Sequence, residues 1–403
     1  MKRLLLIIPF VMAFTCSSIG QVTNTKRQIP TIACYGVPQK QLSIARYQEF
    51  RASGITQSYD VFTDANAMET ALNLAQKAGV KLFVSCPELT VNPEGIVKRF
   101  MNHPALAGYY IADEPRVPSF PALASLVKRI RAIDDKHICY INLLPNYATA
   151  DVLGAISYED YLNSYINEVP TQIISFDYYP VIGVDNPTLR SEWYSNLEIV
   201  AKYAKRAHKP FWAFVLSIAF TPYPSSTLGA LRLQAYSNLA YGAQGIQYFT
   251  YWAIEDGGRN NFHNSPISID GKKTDMYGKI QEVNREIKNL SGVFFGAKMI
   301  SVAHTGNIIP AGCKRLVQLP KPIKWLKTYG VGAVVAVLKK NNESFLVVVN
   351  RDFINDMTLT IKCAKGVSRI LKDGLSTSQS LSTDILKLGP GDVIIYKWND
   401  KLN

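Results

Sequence analysis

Carboxylates and aromatic rings carry the chemistry available to this chain, because the other reactive side chains are poorly placed for it. The five histidines, at positions 103, 137, 208, 263 and 304, show no His-x-His or His-Glu-x-x-His spacing, which speaks against a zinc site. No glycine-rich loop offers a cradle for a nucleotide phosphate, and no Gly-x-Ser-x-Gly elbow offers a serine nucleophile. No cofactor and no metal are expected. Acids set among rings remain. Two carboxyl groups flanking a glycosidic bond can hydrolyse it, one protonating the leaving oxygen and the other attacking carbon or activating water. An acid that keeps its proton near neutrality needs burial or a charged neighbour. Asp113, directly before Glu114, is such a neighbour.

Residues of this kind need a scaffold that gathers distant segments at one rim. From residue 31 the chain alternates short apolar runs, rich in β-branched and aromatic residues, with longer segments of helical spacing. The strand-like runs are 31–36, 55–60, 81–88, 106–114, 138–144, 172–179, 210–218 and 245–252. The helical segments are 41–53, 64–78, 93–102, 119–134, 158–169, 188–207, 226–241 and 274–290. Eight such units in about 260 residues predict an α/β chain folded as a (β/α)8 TIM barrel. Gly54 and Gly79 stand where left-handed residues would end helices. Gly36-Val37-Pro38-Gln39 after the first run is no phosphate loop, against a doubly wound sheet. Beyond residue 290 short strands follow at 333–338, 344–350, 357–362, 368–371, 385–388 and 392–397, separated by Gly330, Gly366, Gly374 and Gly389-Pro390-Gly391. They predict a small C-terminal antiparallel β-sandwich packed directly on the barrel. The expected domains are a leader over 1–20, the barrel over 21–292 and the β-sandwich over 293–403.

In such barrels working residues lie at the C-terminal ends of strands. Strand one offers Cys34 and Tyr35, and strand two Tyr59 and Asp60. Strand three offers Glu88, strand four Asp113 and Glu114, and strand five Asn142. Strand six offers Asp177, Tyr178 and Tyr179, strand seven Trp212, and strand eight Trp252. Glu255 and Asp256 follow in a loop, 253–273, long enough to act as a lid. Glu114, Asp177 and Glu255 form the expected catalytic set. Asp113, Tyr178, Tyr179, Trp252, Tyr59, Asn142, Glu88, Asp256 and Trp212 are the expected substrate-binding set.

Gly108-Tyr109-Tyr110-Ile111-Ala112-Asp113-Glu114-Pro115 resembles the end of strand four in the clan of retaining barrel glycosidases that includes β-galactosidases and cellulases. There the pattern is Asn-Glu-Pro, so the resemblance implies an acid/base role for Glu114, with Asp113 in place of Asn. Ser175-Phe176-Asp177-Tyr178-Tyr179-Pro180 resembles the strand-six end of the same enzymes. Residues 232–252, with Pro266 to Gly271 and the helix over 277–284, resemble family 42-type β-galactosidase barrels, which implies that Trp252 floors a sugar subsite. One departure stands out. The clan's nucleophile is a Glu ending strand seven, whereas the run Pro210 to Phe220 holds no carboxylate. The second carboxylate then comes from elsewhere, or the mechanism inverts, or the barrel binds sugar without cleaving it. A lyase using Tyr and a carboxylate is a further class.

Composition sets outer bounds. The chain has 403 residues, 47% hydrophobic and 19% charged, which fits two folded domains rather than disorder. Lys2-Arg3 followed by an apolar run over 4–14 and the small-x-small sequence Ser18-Ile19-Gly20 reads as a signal peptide cut before Gln21. Export to the periplasm or the exterior is expected, with lipid anchoring through Cys16 as an alternative. Cys34, Cys86, Cys139, Cys313 and Cys363 then remain, an odd number without Cys-x-x-Cys, and are expected as free thiols. The formal charge of +13 is scattered, with no basic block interleaved by aromatics. A nucleic-acid partner is therefore not expected, nor a membrane span. A carbohydrate partner, including an acidic glycan, fits.

Overall fold

The computed structural model describes residues 28–378 and 383–402; the leader expected over 1–20, with Cys16, lies outside the described residues. Eight parallel strands close into a barrel in chain order: β1 Thr31–Cys34, β2 Gln57–Val61, β3 Lys81–Ser85, β4 Leu106–Asp113, β5 Ile138–Leu143, β6 Ile174–Phe176, β7 Phe211–Leu216 and β8 Ile246–Phe249, with β8 pairing back onto β1. The helices outside it are α1 Ile44–Ala52, α2 Ala65–Ala78, α3 Pro87–Val91, α4 Pro93–Phe100, α5 Phe120–Arg131, α6 Ala150–Leu153, α7 Tyr158–Glu168, α8 Trp193–Arg206, α9 Leu228–Ala240 and α10 Asp275–Phe294. No helix among the described residues is long and apolar enough to cross a membrane.

Local chemistry accounts for the boundaries. Asp64 accepts hydrogen bonds from the N–H groups of Asn66 and Ala67 at the start of α2, and Gly79 ends that helix with φ 70°. These are the capping roles such residues favour. Gly54 is also left-handed, with φ 86°. The run expected as a strand to residue 88 stops at Ser85, because Pro87 lacks a ladder N–H and suits the first turn of α3. The helix expected from 188 starts at Trp193, since Thr188–Leu189 pairs with Val181–Ile182 as a short hairpin.

After the barrel come β9 Lys298–His304, β10 Ile323–Tyr329, β11 Ala333–Lys340, β12 Glu343–Asn350, β13 Met357–Cys363, β14 Ser368–Ile370, β15 Ser376–Ser378, β16 Thr383–Leu388 and β17 Val393–Asn399. β9, β11, β12, β17, β14 and β15 form one antiparallel sheet, and β10, β13 and β16 a second. β11 and β12 are apolar on both faces, and strand alternation separates two cores. Val334, Ala336, Val347 and Val349 join the barrel's core. Ala333, Val335, Leu346 and Val348 pack with Leu359 and Ile361 of the second sheet. This is the expected β-sandwich, seated directly on the barrel. β9 and β10 were not expected as strands, because each alternates apolar residues with lysine, threonine or serine and is half exposed.

Inside the barrel Ile32, Tyr59, Phe83, Tyr140, Trp212 and Phe214 form a closed aromatic core below the rim. β4 is drawn tight against it at Gly108, where a Cβ would lie 2.2 Å from the Ile138 carbonyl oxygen and 2.7 Å from the Phe83 ring. Gly108→Ala is expected to lower stability by about 1–3 kcal/mol through overpacking, read as a lower denaturation midpoint.

Candidate active site

The site begins with an irregularity in β4. Its register with β5 runs from Gly108 opposite Ile138 to Tyr110 opposite Tyr140, then slips so that Ala112 faces Ile141 and Asp113 faces Asn142. Ile111 is the extra residue. A bulge at a barrel rim re-aims the side chains beyond it. Glu114 then takes a left-handed φ of 45°, a conformation that costs a side-chain-bearing residue about 1–3 kcal/mol. Its N–H donates to the Asn142 carbonyl at 2.9 Å, which fixes the turn.

In consequence the two consecutive carboxylates diverge. Glu114 is in hydrogen-bond contact with Asp177, just beyond the end of β6. Asp113 instead lines a cavity of about 380 Å³ whose walls include Cys34, Tyr59, Asp60, Tyr110, Phe249 and Trp252. Asn142 joins the two sides, its Nδ2 lying 3.2 Å from Asp113 Oδ1 and 3.1 Å from Asp177 Oδ1. Its Oδ1 accepts from the Ser175 hydroxyl at 2.9 Å, and Gln247 Nε2 in turn donates to that hydroxyl oxygen at 2.9 Å. The rim acids thus hang on a polar chain rooted in the barrel interior.

Their proton affinities follow from this placement. Burial, then the charges of Glu114 and Asp113, hold the Asp177 carboxyl well above the usual range. Burial, then Asp113, raises Glu114. Asp113 is also raised by burial, against the Asn142 hydrogen bond. No cation counters these shifts: among the described residues none of the three forms an ion pair with Lys, Arg or His. Two carboxylates in contact resist being charged together, so the pair holds a proton more tightly than a lone carboxylate does.

Other expected residues spread around the mouth. Trp252 lines the cavity, with the Arg46 guanidinium 5.1 Å from its ring centre. Tyr59 also lines it, stacked on Tyr140 at 4.9 Å. Tyr179 stacks on Phe249 at 5.6 Å, and Tyr178 meets Tyr147 edge-on at 5.0 Å. Three expected binding residues are engaged elsewhere. Glu88 accepts the Ala65 N–H at the head of α2. Trp212 is buried in the barrel interior, edge-on to Phe83 and packed where Gly245 leaves room. Asp256 folds its own loop by accepting the N–H groups of Gly258 and Asn260. Glu255 is exposed on that loop, outside the cavity lining.

Residues outside the expected set also line the cavity. Tyr110 and Phe249 have neighbours inside the barrel and turn inward by strand alternation. Asp60 accepts the Gly36 N–H at 2.9 Å and the Ser58 hydroxyl at 2.6 Å; burial pushes its carboxyl up to about 6. Far from the rim, one group among the described residues is compact enough to hold a metal: Glu198, His304 and Cys313, all within 4.8 Å. The Tyr241 hydroxyl sits among them, 3.1 Å from Glu198 and 2.8 Å from His304, and the nearby Arg351 charge opposes a cation. Ligands so far apart in sequence leave no spacing signature.

A closed barrel with acids and rings at its C-terminal mouth is the architecture of many glycoside hydrolases, and the comparisons narrow the class. The profile of glycoside hydrolase family 42, described as β-galactosidase, matches residues 143–290, from the end of β5 into α10. No curated protein sequence matches the chain. A catalytic mutant of a family 42 β-galactosidase from G. stearothermophilus superposes with a TM-score of 0.62 at 9% identity, covering 92% of this chain and 98% of its own. A β-galactosidase from Bacillus circulans gives 0.61 at 10% identity, covering 92% and 99%. A family 39 glycoside hydrolase from Bacteroides cellulosilyticus gives 0.53 at 10% identity, covering 93% and 81%. At these identities the likeness is one of fold. The chain resembles the family 42 type of barrel glycoside hydrolase in fold throughout and in sequence over the second half of the barrel.

Asp177→Asn tests the proton held by the pair. The amide keeps an acceptor for Asn142 and presents a donor to Glu114. A carboxyl raised in the folded state opposes folding as pH climbs past its ordinary value, about 4. The variant is therefore expected to unfold at higher temperature than the parent chain at neutral pH, with the two converging near pH 4, in thermal melts across pH.

Proposed function

We propose that the chain is an exported glycoside hydrolase that cleaves a poly- or oligosaccharide by carboxylate acid/base catalysis. The observation that carries this reading is the Glu114–Asp177 pair, held in hydrogen-bond contact beside a ring-lined cavity. Such a pair keeps a proton to higher pH than a free carboxylate does, and a departing glycosidic oxygen needs one. Glu114 is the more accessible of the two and delivers to the substrate the proton that burial and the Glu114 charge favour on Asp177. Asp177, buried behind it, tunes the donor. Asp113, Tyr59 and Trp252 line the space for the sugar, and the loop over 253–273 begins at its edge with Ala253. The family 42 profile match and the shared barrel fold support the same class. The expected leader supports export, and the positive charge favours an acidic glycan.

One observation favours a second reading. The chain has no Asp or Glu between residues 199 and 254, so β7 and β8 supply no nucleophile. A barrel of this kind can bind glycan without cleaving it. Glu114→Gln separates the two. Under the hydrolase reading it lowers kcat by about 10²–10⁴-fold and leaves sugar affinity by calorimetry nearly unchanged. Absence of turnover in the parent protein, with the same affinity, would favour the binding module.

A further inference from the structure

Rings and charge also meet on the smaller sheet of the β-sandwich. Strand alternation in β10, β13 and β16 sends one set of side chains into the sandwich and the other outward. Ile323, Leu359 and Leu388 point inward, to the core shared with the larger sheet. The larger sheet meets the barrel with its other side, so the outward set of the smaller sheet is turned away from the barrel. The register of β10 with β13 slips between Ile323 and Trp325, with Lys324 as the extra residue. A bulge of this kind re-aims the strand beyond it. Trp325, Lys327 and Tyr329 then share the outer face, the two rings 53% and 50% exposed. Lys362 of β13 stands directly opposite Trp325. On β16, Ile385, 73% exposed, and Lys387 complete the face.

Single exposed apolar side chains need no explanation, but here charge adds a second observation. From residue 287 to 342 the chain holds nine Lys and Arg and no Asp or Glu, so this part of the surface attracts anions. Among the described residues no carboxylate is paired with Lys324, Lys327 or Lys362, whereas Lys387 meets Asp356 at 2.6 Å. The Lys327 ammonium lies 4.8 Å from the centre of the Tyr329 ring. Trp325 and Tyr329 are four residues apart on one strand, about 13 Å, too far for a single pyranose ring to cover both. We propose that this face binds an anionic polysaccharide, with sugar rings laid on Trp325 and Tyr329 and their carboxylate or sulfate groups met by Lys327 and Lys362. Indole and phenol rings offer broad apolar faces to sugar C–H bonds while their polar edges stay wet. An open sheet face differs from the charged groove that tracks a nucleic-acid strand. Rings separated by a lysine differ from the charge-depleted centre of a protein interface. The lysines come from three strands and are gathered only by the sheet. The inference rests on the glycan reading of the chain but not on cleavage at the barrel mouth.

The test is affinity electrophoresis of the full chain through gels holding polygalacturonate, dextran sulfate or a neutral galactan. The expected result is retardation by the anionic polymers and not by the galactan, weakening as salt is added; the two anionic gels tell a carboxylate preference from a sulfate one. Trp325→Ala and Tyr329→Ala are each expected to lower the affinity roughly tenfold. Tyr329→Phe is expected to keep it, and Lys327→Glu combined with Lys362→Glu to abolish it, all with the melting temperature of the parent chain. Retardation that survives Trp325→Ala and is lost with Asp113→Asn would place the polymer at the barrel mouth and overturn the inference. Equal retardation by the galactan, or none by any polymer, would overturn it too. So would stronger retardation by single-stranded DNA that the same substitutions weaken, which would make the face a nucleic-acid surface. The hydrolase reading is decided separately, by turnover in the parent chain and in Glu114→Gln.

Discussion

Two carboxyl groups in contact resist being charged together, and the rim of this barrel is organised around that constraint. Asp177 is buried, with no compensating cation among the described residues, so its charge is disfavoured by solvation as well as by Glu114. A protein that needed only stability would place an amide or an apolar residue there. Keeping an acid beside another acid stores a proton at the surface of a cavity. The bulge at Ile111 and the left-handed turn at Glu114 bring that proton out of the sheet. Strain of this kind persists where surrounding structure over-determines it, here through the Asn142 carbonyl and the polar chain down to Gln247.

The rest of the fold serves as a rigid mount. The buried aromatic core fills the barrel below the rim. The β-sandwich packs against the barrel. Its larger sheet shares a core with the barrel on one side and with the smaller sheet on the other. Glu286 of α10 cements this junction, being buried and bound by Arg232, Lys372 and Tyr236 at 2.6, 3.1 and 2.6 Å. Burial alone would raise its carboxyl, yet the cationic and phenolic partners hold it below the ordinary value. The contrast with Asp177 separates the two uses of a buried acid in one molecule. One is neutralised by cations and is structural. The other has no cationic partner among the described residues.

The barrel was legible because eight apolar runs recur with helices between them, and because Asp64, Gly54 and Gly79 act through short-range rules. The Asp113-Glu114-Pro115 signature was legible through its resemblance to the strand-four end of barrel glycosidases. Contacts between distant strands were not. Nothing local distinguishes Glu88, which caps a helix, from Asp60, which lines the cavity; the difference is set by which loop N–H each carboxylate meets. Trp212 and Trp252 look alike in sequence, yet one fills the core where Gly245 leaves room and the other floors the mouth. The divergence of Asp113 from Glu114 depends on a single slipped residue in register, invisible to any periodicity.

The pairing of Glu114 with Asp177 is tested most directly by a carboxyl titration. Carbon-13 NMR of the side-chain carboxyls, in the parent protein and in Glu114→Gln, reads each group's ionisation separately. The expected result is one carboxyl that keeps its proton well above the ordinary carboxylate range in the parent chain and ionises at clearly lower pH once residue 114 is an amide. Ordinary titration of every carboxyl in the parent protein, unchanged by the substitution, would contradict it.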